Sequence, residues 1–248
     1  MKSRLQRTAL LLGNPAMKKL EKAHVLVVGC GAVGSYAIEA LARSGIGKIT
    51  LVDFDVVGES NINRQLFALT STIGLKKIDV ARARIADIDP KIEVVTKDIL
   101  LNEETMFEVF DERPDFVIDA IDSLNPKVSL IAYLKENDIH FISSMGAALR
   151  TDPSKVQIVA LKKTINCPLA FFIRKRLRKR NIDMGFPVVY SSELSNLDCI
   201  QEGERSDQKS GRVRNQLGSL PTITGMFGLM CANYAILYLA GRITFNSK

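Results

Sequence analysis

The chain has 248 residues, 46% of them apolar and 25% charged, proportions that fit a globular protein with one sizeable core, or one core and a small appendage. Its four cysteines, Cys30, Cys167, Cys199 and Cys231, form no CxxC pair, and its only histidines are His24 and His140, which argues against a structural zinc, a multi-histidine metal site and a histidine triad. The net charge is +7, yet Arg174, Lys175, Arg176, Arg178, Lys179 and Arg180 supply six of those charges, leaving about +1 (7 minus 6) for everything else, so the basicity is a local patch.

The opening segment, Met1 to Leu12, is basic and then briefly apolar but lacks a small-residue cleavage site, so no signal peptide is expected. Reduced thiols and a cytoplasmic location follow from that reading. HVLVVG, from His24 to Gly29, reads as a buried parallel strand that ends in glycine. Helical spacing follows over Ala32 to Ser44, with Val33, Ala37, Ala40 and Leu41 on one side, and a second strand covers Lys48 to Asp53. Leu75 to Ile88 reads as a helix that Pro90 ends. Strands are expected at Ile92 to Thr96, Phe116 to Asp119 and His140 to Ser143, with helices at Glu103 to Phe110 and Asn125 to Asn137. This alternation predicts a doubly wound, mainly parallel Rossmann-like α/β sheet with a C-terminal extension of mixed strands and helices.

The second half is less regular. It holds an expected strand at Val156 to Leu161, a helix from Pro168 to Arg180 with proline in its first turn, and a polar loop from Glu193 to Gly218. Leu217 to Gly241 carries no charge and is long enough to span a bilayer. Its many Gly, Ser, Thr and Pro residues favour a buried core helix starting near Pro221, so membrane association is disfavoured.

Gly29-Cys30-Gly31-Ala32-Val33-Gly34 is a GxGxxG at a strand-to-helix junction, where glycines let backbone approach a phosphate and the helix N-terminus offers free N–H groups. Asp53 ends the next strand, where a carboxylate reaches ribose hydroxyls. NAD and ATP share this fingerprint. Asn61, Asn63, Arg64 and Gln65 (SNINRQ), Lys77, and Asp119 and Asp122 (DAID) favour ATP: cations clamp a triphosphate, and paired carboxylates hold Mg²⁺.

Together GCGAVG, LVDFD, SNINRQ, GLKK and DAIDS resemble the ThiF/MoeB/ubiquitin-activating superfamily. The resemblance implies ATP-site positions at Gly29, Gly31, Gly34, Asp53, Asn61, Arg64, Gln65, Lys77 and Asp122. It also implies a homodimer in which Arg7 reaches the other subunit's ATP. The CxxC zinc pairs of many members are absent. The chain is more similar to the tRNA threonylcarbamoyladenosine dehydratases, through ARSGIGKITLVDFD, VIDAIDS and the second-half segments GAALRTDPSKVQI, KKTINCPLA and VVYSSE, and least similar over Asp198 to Arg214.

That resemblance implies one adenylating domain over 1–248, with a nucleotide half (1–150) and a substrate, RNA-binding and dimerisation half (151–248). The implied chemistry is ATP-dependent cyclisation of N6-threonylcarbamoyladenosine at position 37 of tRNA through an acyl-adenylate. Arg64 and Lys77 are expected to act as phosphate clamps, Asp122 as the magnesium ligand and Asp53 on the ribose. The six-charge patch is expected to contact RNA, since like charges so dense and without an acidic neighbour in sequence often meet nucleic acid. Cys199 reads as an ordinary loop thiol. A sulfur-transfer protein is a candidate partner. The rival readings are an activating enzyme for a ubiquitin-like sulfur carrier, a non-enzymatic nucleotide-binding scaffold and an NAD-dependent oxidoreductase.

Overall fold

A computed structural model describes residues 3–202 and 215–244. Two short helices, α1 (Gln6–Leu12) and α2 (Asn14–Lys22), lead into β1 (His24–Val28), α3 (Gly34–Ser44) and β2 (Lys48–Val52). Then follow α4 (Lys77–Ile88), β3 (Glu93–Lys97), α5 (Met106–Val109), β4 (Phe116–Asp119), α6 (Leu124–Glu136) and β5 (Phe141–Ser144). The remainder is β6 (Val156–Ala160), α7 (Pro168–Lys179), β7 (Pro187–Ser191), the two-residue strands β8 (Ile200–Gln201) and β9 (Gln216–Leu217), and α8 (Pro221–Leu239).

Seven strands form one sheet in the order β3-β2-β1-β4-β5-β7-β6, parallel throughout except for the edge strand β6. Alternate residues of β1 serve opposite faces, as the pleat requires. Val25 and Val27 join a core with α2, α3, α4 and α8, whereas Leu26 and Val28 join one with α5, α6 and α7. Helices on both sides explain why β1 is apolar at nearly every position. The chain leaves β1 in one direction through β2 and β3 and returns on its other side through β4 and β5. The crevice between the carboxyl ends of β1 and β4 is therefore the topological switch point, the usual ligand position in such sheets.

The predicted doubly wound sheet is thus present, and most predicted elements lie within two residues of the observed ones. α5 is a single turn rather than the predicted helix from Glu103. The Asn102 side chain accepts hydrogen bonds from the Glu104 and Thr105 N–H groups, a local turn that competes with helix. α1, α2 and β7 have no counterpart among the predicted elements. β7 is wholly buried, begins with proline and lacks alternation, so it carries no strand signature of its own. The expected loop from Glu193 holds the β8–β9 ribbon, and its residues 203–214 lie outside the described ones.

α8 is long and apolar enough to cross a membrane, but it is a core helix. Ile223, Phe227, Cys231 and Ala235 are fully buried. A Cβ at Gly228 would lie 2.2 Å from the Val33 carbonyl, so glycine there lets α8 seat directly on the start of α3. The expectation of a buried helix starting at Pro221 holds.

Candidate active site

The glycine-rich turn leaves β1 at the switch point. The Gly29 N–H donates to the Val52 carbonyl (2.8 Å), and its φ of +95° lies in the region that side chains avoid. A Cβ on Gly29 would sit 2.9 Å from the Ala120 carbonyl, and one on Gly34 only 1.8 Å from the Gly29 carbonyl. These two glycines are demanded by the protein's own packing. Gly31 is not: the nearest atom to a Cβ there is Gln65 Nε2 at 3.8 Å. A Cβ at Gly31 would make only an ordinary contact with a flexible side chain, and no side chain caps the first turn of α3, so the helix N-terminus remains available to an anion.

Asp53, at the carboxyl end of β2, is 8% exposed. Its Oδ2 accepts from the Cys30 N–H inside the glycine turn (2.7 Å), and its Oδ1 accepts from the Asp55 N–H (2.9 Å). Each carboxylate oxygen has a second lone pair for a ribose hydroxyl. Burial pushes the Asp53 carboxyl above its usual pKa, and the Lys77 ammonium opposes that shift. Lys77 opens α4 and is almost fully buried, with its Nζ 2.8 Å from Asp55 Oδ2. Asp55 had no assigned role from sequence. It supplies the counter-charge that makes a buried lysine tolerable in a protein without ligand.

The SNINRQ segment starts in a short 3-10 helix (Glu59–Asn61) and continues as a compact turn. Asn61 Oδ1 accepts from the Gly58 N–H (3.2 Å), so this side chain shapes the turn itself. Arg64 is partly buried and donates from Nη1 to the Ser60 carbonyl and to Asn63 Oδ1, both at 2.8 Å. Gln65 is buried beside Gly31. Arg7 is exposed on α1 and makes no hydrogen bond or ion pair among the described residues.

The two carboxylates of DAID are separated, contrary to the expectation that they act as a pair. Asp119 and Lys127 form an ion pair at 2.7 Å with both side chains fully buried, and Ser143 Oγ donates to the same carboxylate (2.6 Å). Asp119 is therefore a structural group, and its Oδ1 accepts the Ile121 N–H (3.1 Å) that forms the turn after β4. Asp122 lies beyond that turn, exposed, with the Ser123 hydroxyl donating to it at 3.1 Å. No group of three or more His, Cys, Asp or Glu side chains is placed to hold a metal among the described residues. A magnesium ion at Asp122 would thus take most of its ligands from phosphate and water, the usual arrangement for this ion.

The six-charge patch is also divided. Arg174 turns inward and donates to the Thr164 carbonyl (2.9 Å) and hydroxyl, and Arg180 pairs with Glu103 (3.0 Å). The patch thus has an acidic partner in space that it lacks in sequence. Arg176 reaches Asn125 Oδ1 at 3.5 Å, a long contact. Lys175, Arg178 and Lys179 are exposed, without hydrogen bond or ion pair among the described residues. Cys30, Cys167 and Cys231 are buried, and burial raises the Cys30 and Cys231 thiols; Cys199 is exposed. A cavity of about 320 Å³ opens at the opposite, amino-terminal edge of the sheet, against Phe116, His140, Phe141, Pro187 and Tyr238, away from the glycine turn.

The pattern of the ThiF family matches residues 4–248. A Bacillus subtilis (strain 168) protein named tRNA threonylcarbamoyladenosine dehydratase is 39% identical over 244 residues, spanning 96% of this chain and 95% of that protein. The Escherichia coli (strain K12) protein of the same name is 36% identical over 248 residues, spanning 95% and 92%. The solved structure of the E. coli tRNA N6-threonylcarbamoyladenosine dehydratase in complex with ATP superimposes with a TM-score of 0.85 at 35% identity, covering 96% of this chain and 94% of that one.

Proposed function

The chain belongs to the ThiF family, and from that premise we propose that it is an ATP-dependent adenylate-forming enzyme that cyclises N6-threonylcarbamoyladenosine at position 37 of tRNA. The observation that carries this reading is the face at Gly31, where the protein's own packing does not require a glycine. It is bordered by Gln65 and lies beside Asp53 and Lys77, in a chain similar to the dehydratases over nearly its whole length.

In this reading the substrate carboxylate attacks the α-phosphate of ATP, pyrophosphate leaves, and the carbamoyl nitrogen then attacks the acyl-adenylate, closing the ring and releasing AMP. The residues of the chain position and stabilise. The N-terminus of α3 and the Gly31 backbone receive phosphate oxygens, and Asp53 holds the ribose. Arg64 and Lys77 neutralise charge moving toward the pyrophosphate. For Lys77 this means exchanging its contact with Asp55 for one with the triphosphate. Asp122 would hold a magnesium ion accompanying ATP, which would supply further charge neutralisation at the phosphates. The ring-closing nucleophile belongs to the substrate, so effective concentration replaces an enzyme nucleophile. Three of the four cysteines are buried, which suits a mechanism without a thioester.

We further propose a homodimer in which Arg7 reaches the other subunit's triphosphate. Nucleotide chemistry occupies residues 1–150, and RNA and subunit contacts occupy residues 151–248. The exposed members of the basic helix meet the tRNA backbone, and the location is the cytoplasm, where that substrate resides. A sulfur-transfer protein is a candidate partner. The rival reading, activation of a ubiquitin-like sulfur carrier, uses the same nucleotide site. Pyrophosphate exchange decides between them. Exchange stimulated by tRNA bearing threonylcarbamoyladenosine, with cyclised product formed, is the expected result. Exchange stimulated only by a carrier protein's C-terminus would overturn it.

A further inference from the structure

α7 presents more than charge. Its buried side consists of Ala170, Ile173 and Leu177, one side of a helix at the i, i+3, i+7 spacing. The outward side begins with two phenylalanines, Phe171 (53% exposed) and Phe172 (48% exposed), their rings in edge-to-face contact with centroids 5.3 Å apart. Neither ring belongs to either core, and together they form a small exposed apolar patch. The helix continues from them into exposed cations. Lys175 and Arg178 follow Phe171 at i+4 and i+7, while Arg176 and Lys179 follow Phe172 at the same spacings. An aromatic platform and a cationic track therefore share one face.

The platform also lies near the reacting edge of the sheet. Asn166, just before α7, donates from Nδ2 to the Ser192 carbonyl after β7, and Gly146, after β5, lies close to Cys167 and Leu169. One turn beyond Phe172, Arg176 reaches Asn125, three residues after Asp122. The start of α7 thus lies at the carboxyl edge of β5 and β7, the edge of the sheet that carries the nucleotide site.

We propose that Phe171 and Phe172 form a stacking platform for an unpaired base of the tRNA anticodon loop, beside the adenosine that enters the active site. The proposal rests on the tRNA reading above. Single-stranded nucleic acid is bound by the combination found here, aromatic faces for the bases beside cations for the backbone. A second copy of the chain is a poor occupant, because two-fold pairing of this face would oppose Lys175, Arg178 and Lys179 to themselves. The platform selects an open loop over duplex, since only unstacked bases offer a free face.

The test uses an anticodon stem-loop carrying 2-aminopurine next to the modified adenosine, with the intact enzyme. The variants are Phe171→Leu/Phe172→Leu, Phe172→Trp and Lys175→Gln/Arg178→Gln/Lys179→Gln. The wild type is expected to quench the probe. The double leucine variant should lose the quenching and bind roughly 5- to 150-fold more weakly, the range for loss of one stacked base. Its dependence on salt should not change, because no phosphate contact is lost. Phe172→Trp should keep both quenching and affinity. These positions are exposed, so unchanged ATP affinity serves as the folding control. If the leucine variant quenches and binds like wild type while the glutamine triple binds weakly, the platform is refuted and the tRNA reading stands. If no variant alters RNA binding, both the platform and the docking role of α7 fall. Loss of binding to anionic vesicles with tRNA binding intact would assign the face to a membrane and also refute the platform.

Discussion

Substituting Gly34 and Gly31 of the nucleotide turn one at a time separates what the fold needs from what a ligand needs. At Gly34 an added methyl would stand 1.8 Å from the Gly29 carbonyl, against an ordinary contact of 3.4 Å or more, and both partners are backbone. Relief requires the β1–α3 turn to shift by more than an ångström, and overpacking of this kind costs about 1–3 kcal/mol or more. At Gly31 the nearest atom is 3.8 Å away, the end of a glutamine side chain, and φ is not positive. Gly31→Ala should therefore leave stability unchanged or raise it by about 0.4–1 kcal/mol, because alanine restricts the unfolded chain. The same methyl would occupy the face where a phosphate approaches. Losing one charge-assisted hydrogen bond of about 1.5–3 kcal/mol would weaken ATP binding roughly 10- to 150-fold. Urea titration gives the stability of each variant, and calorimetry gives ATP affinity. A Gly31→Ala variant as stable as wild type that also bound ATP as tightly would refute the assignment of that face to the nucleotide.

Lys127→Met should destabilise the fold by about 3–5 kcal/mol in urea titration, since it strands the Asp119 carboxylate in the core, and adding Asp119→Leu should recover much of the loss. A double variant less stable than Lys127→Met would contradict this account of the pair. Mixing Arg7→Ala subunits with Lys77→Ala subunits should restore some cyclisation activity, because one composite site in the mixed dimer is intact. No recovery from a mixture shown to exchange subunits would count against Arg7 acting across the interface. Lys175→Gln/Arg178→Gln/Lys179→Gln should flatten the log–log salt dependence of tRNA binding by about 2, at ~0.7 per lost contact to single-stranded RNA, with ATP affinity unchanged. Arg174→Gln should instead lower thermal stability, because that guanidinium is engaged with Thr164.

Features set by local spacing are legible in the sequence itself. GxGxxG between an apolar run and a helical run specifies a strand, a tight turn and a helix, because each link is settled within a few residues. Asp53 and Lys77 stand out for the same reason, as polar residues at the end of a strand and the start of a helix. The apolar stretch from Pro221 is readable as a core helix because its glycines and threonines suit close helix packing better than lipid.

Other distinctions arise only when distant segments meet. Asp119 and Asp122 look alike in DAIDS, but β4 ends between them. The strand buries the first against Lys127 of α6 and Ser143 of β5, and the turn releases the second to solvent. The six cations of α7 are equivalent in sequence, yet helix geometry turns Arg174 onto Thr164 and brings Glu103, 77 residues away, to Arg180. β7 is invisible in the sequence because its stability comes from β5 and β6 on either side, not from its own pattern. Periodicity along a chain records which faces are apolar. It does not record which charge finds which, because those pairings depend on strand order and helix rotation that only long-range packing establishes.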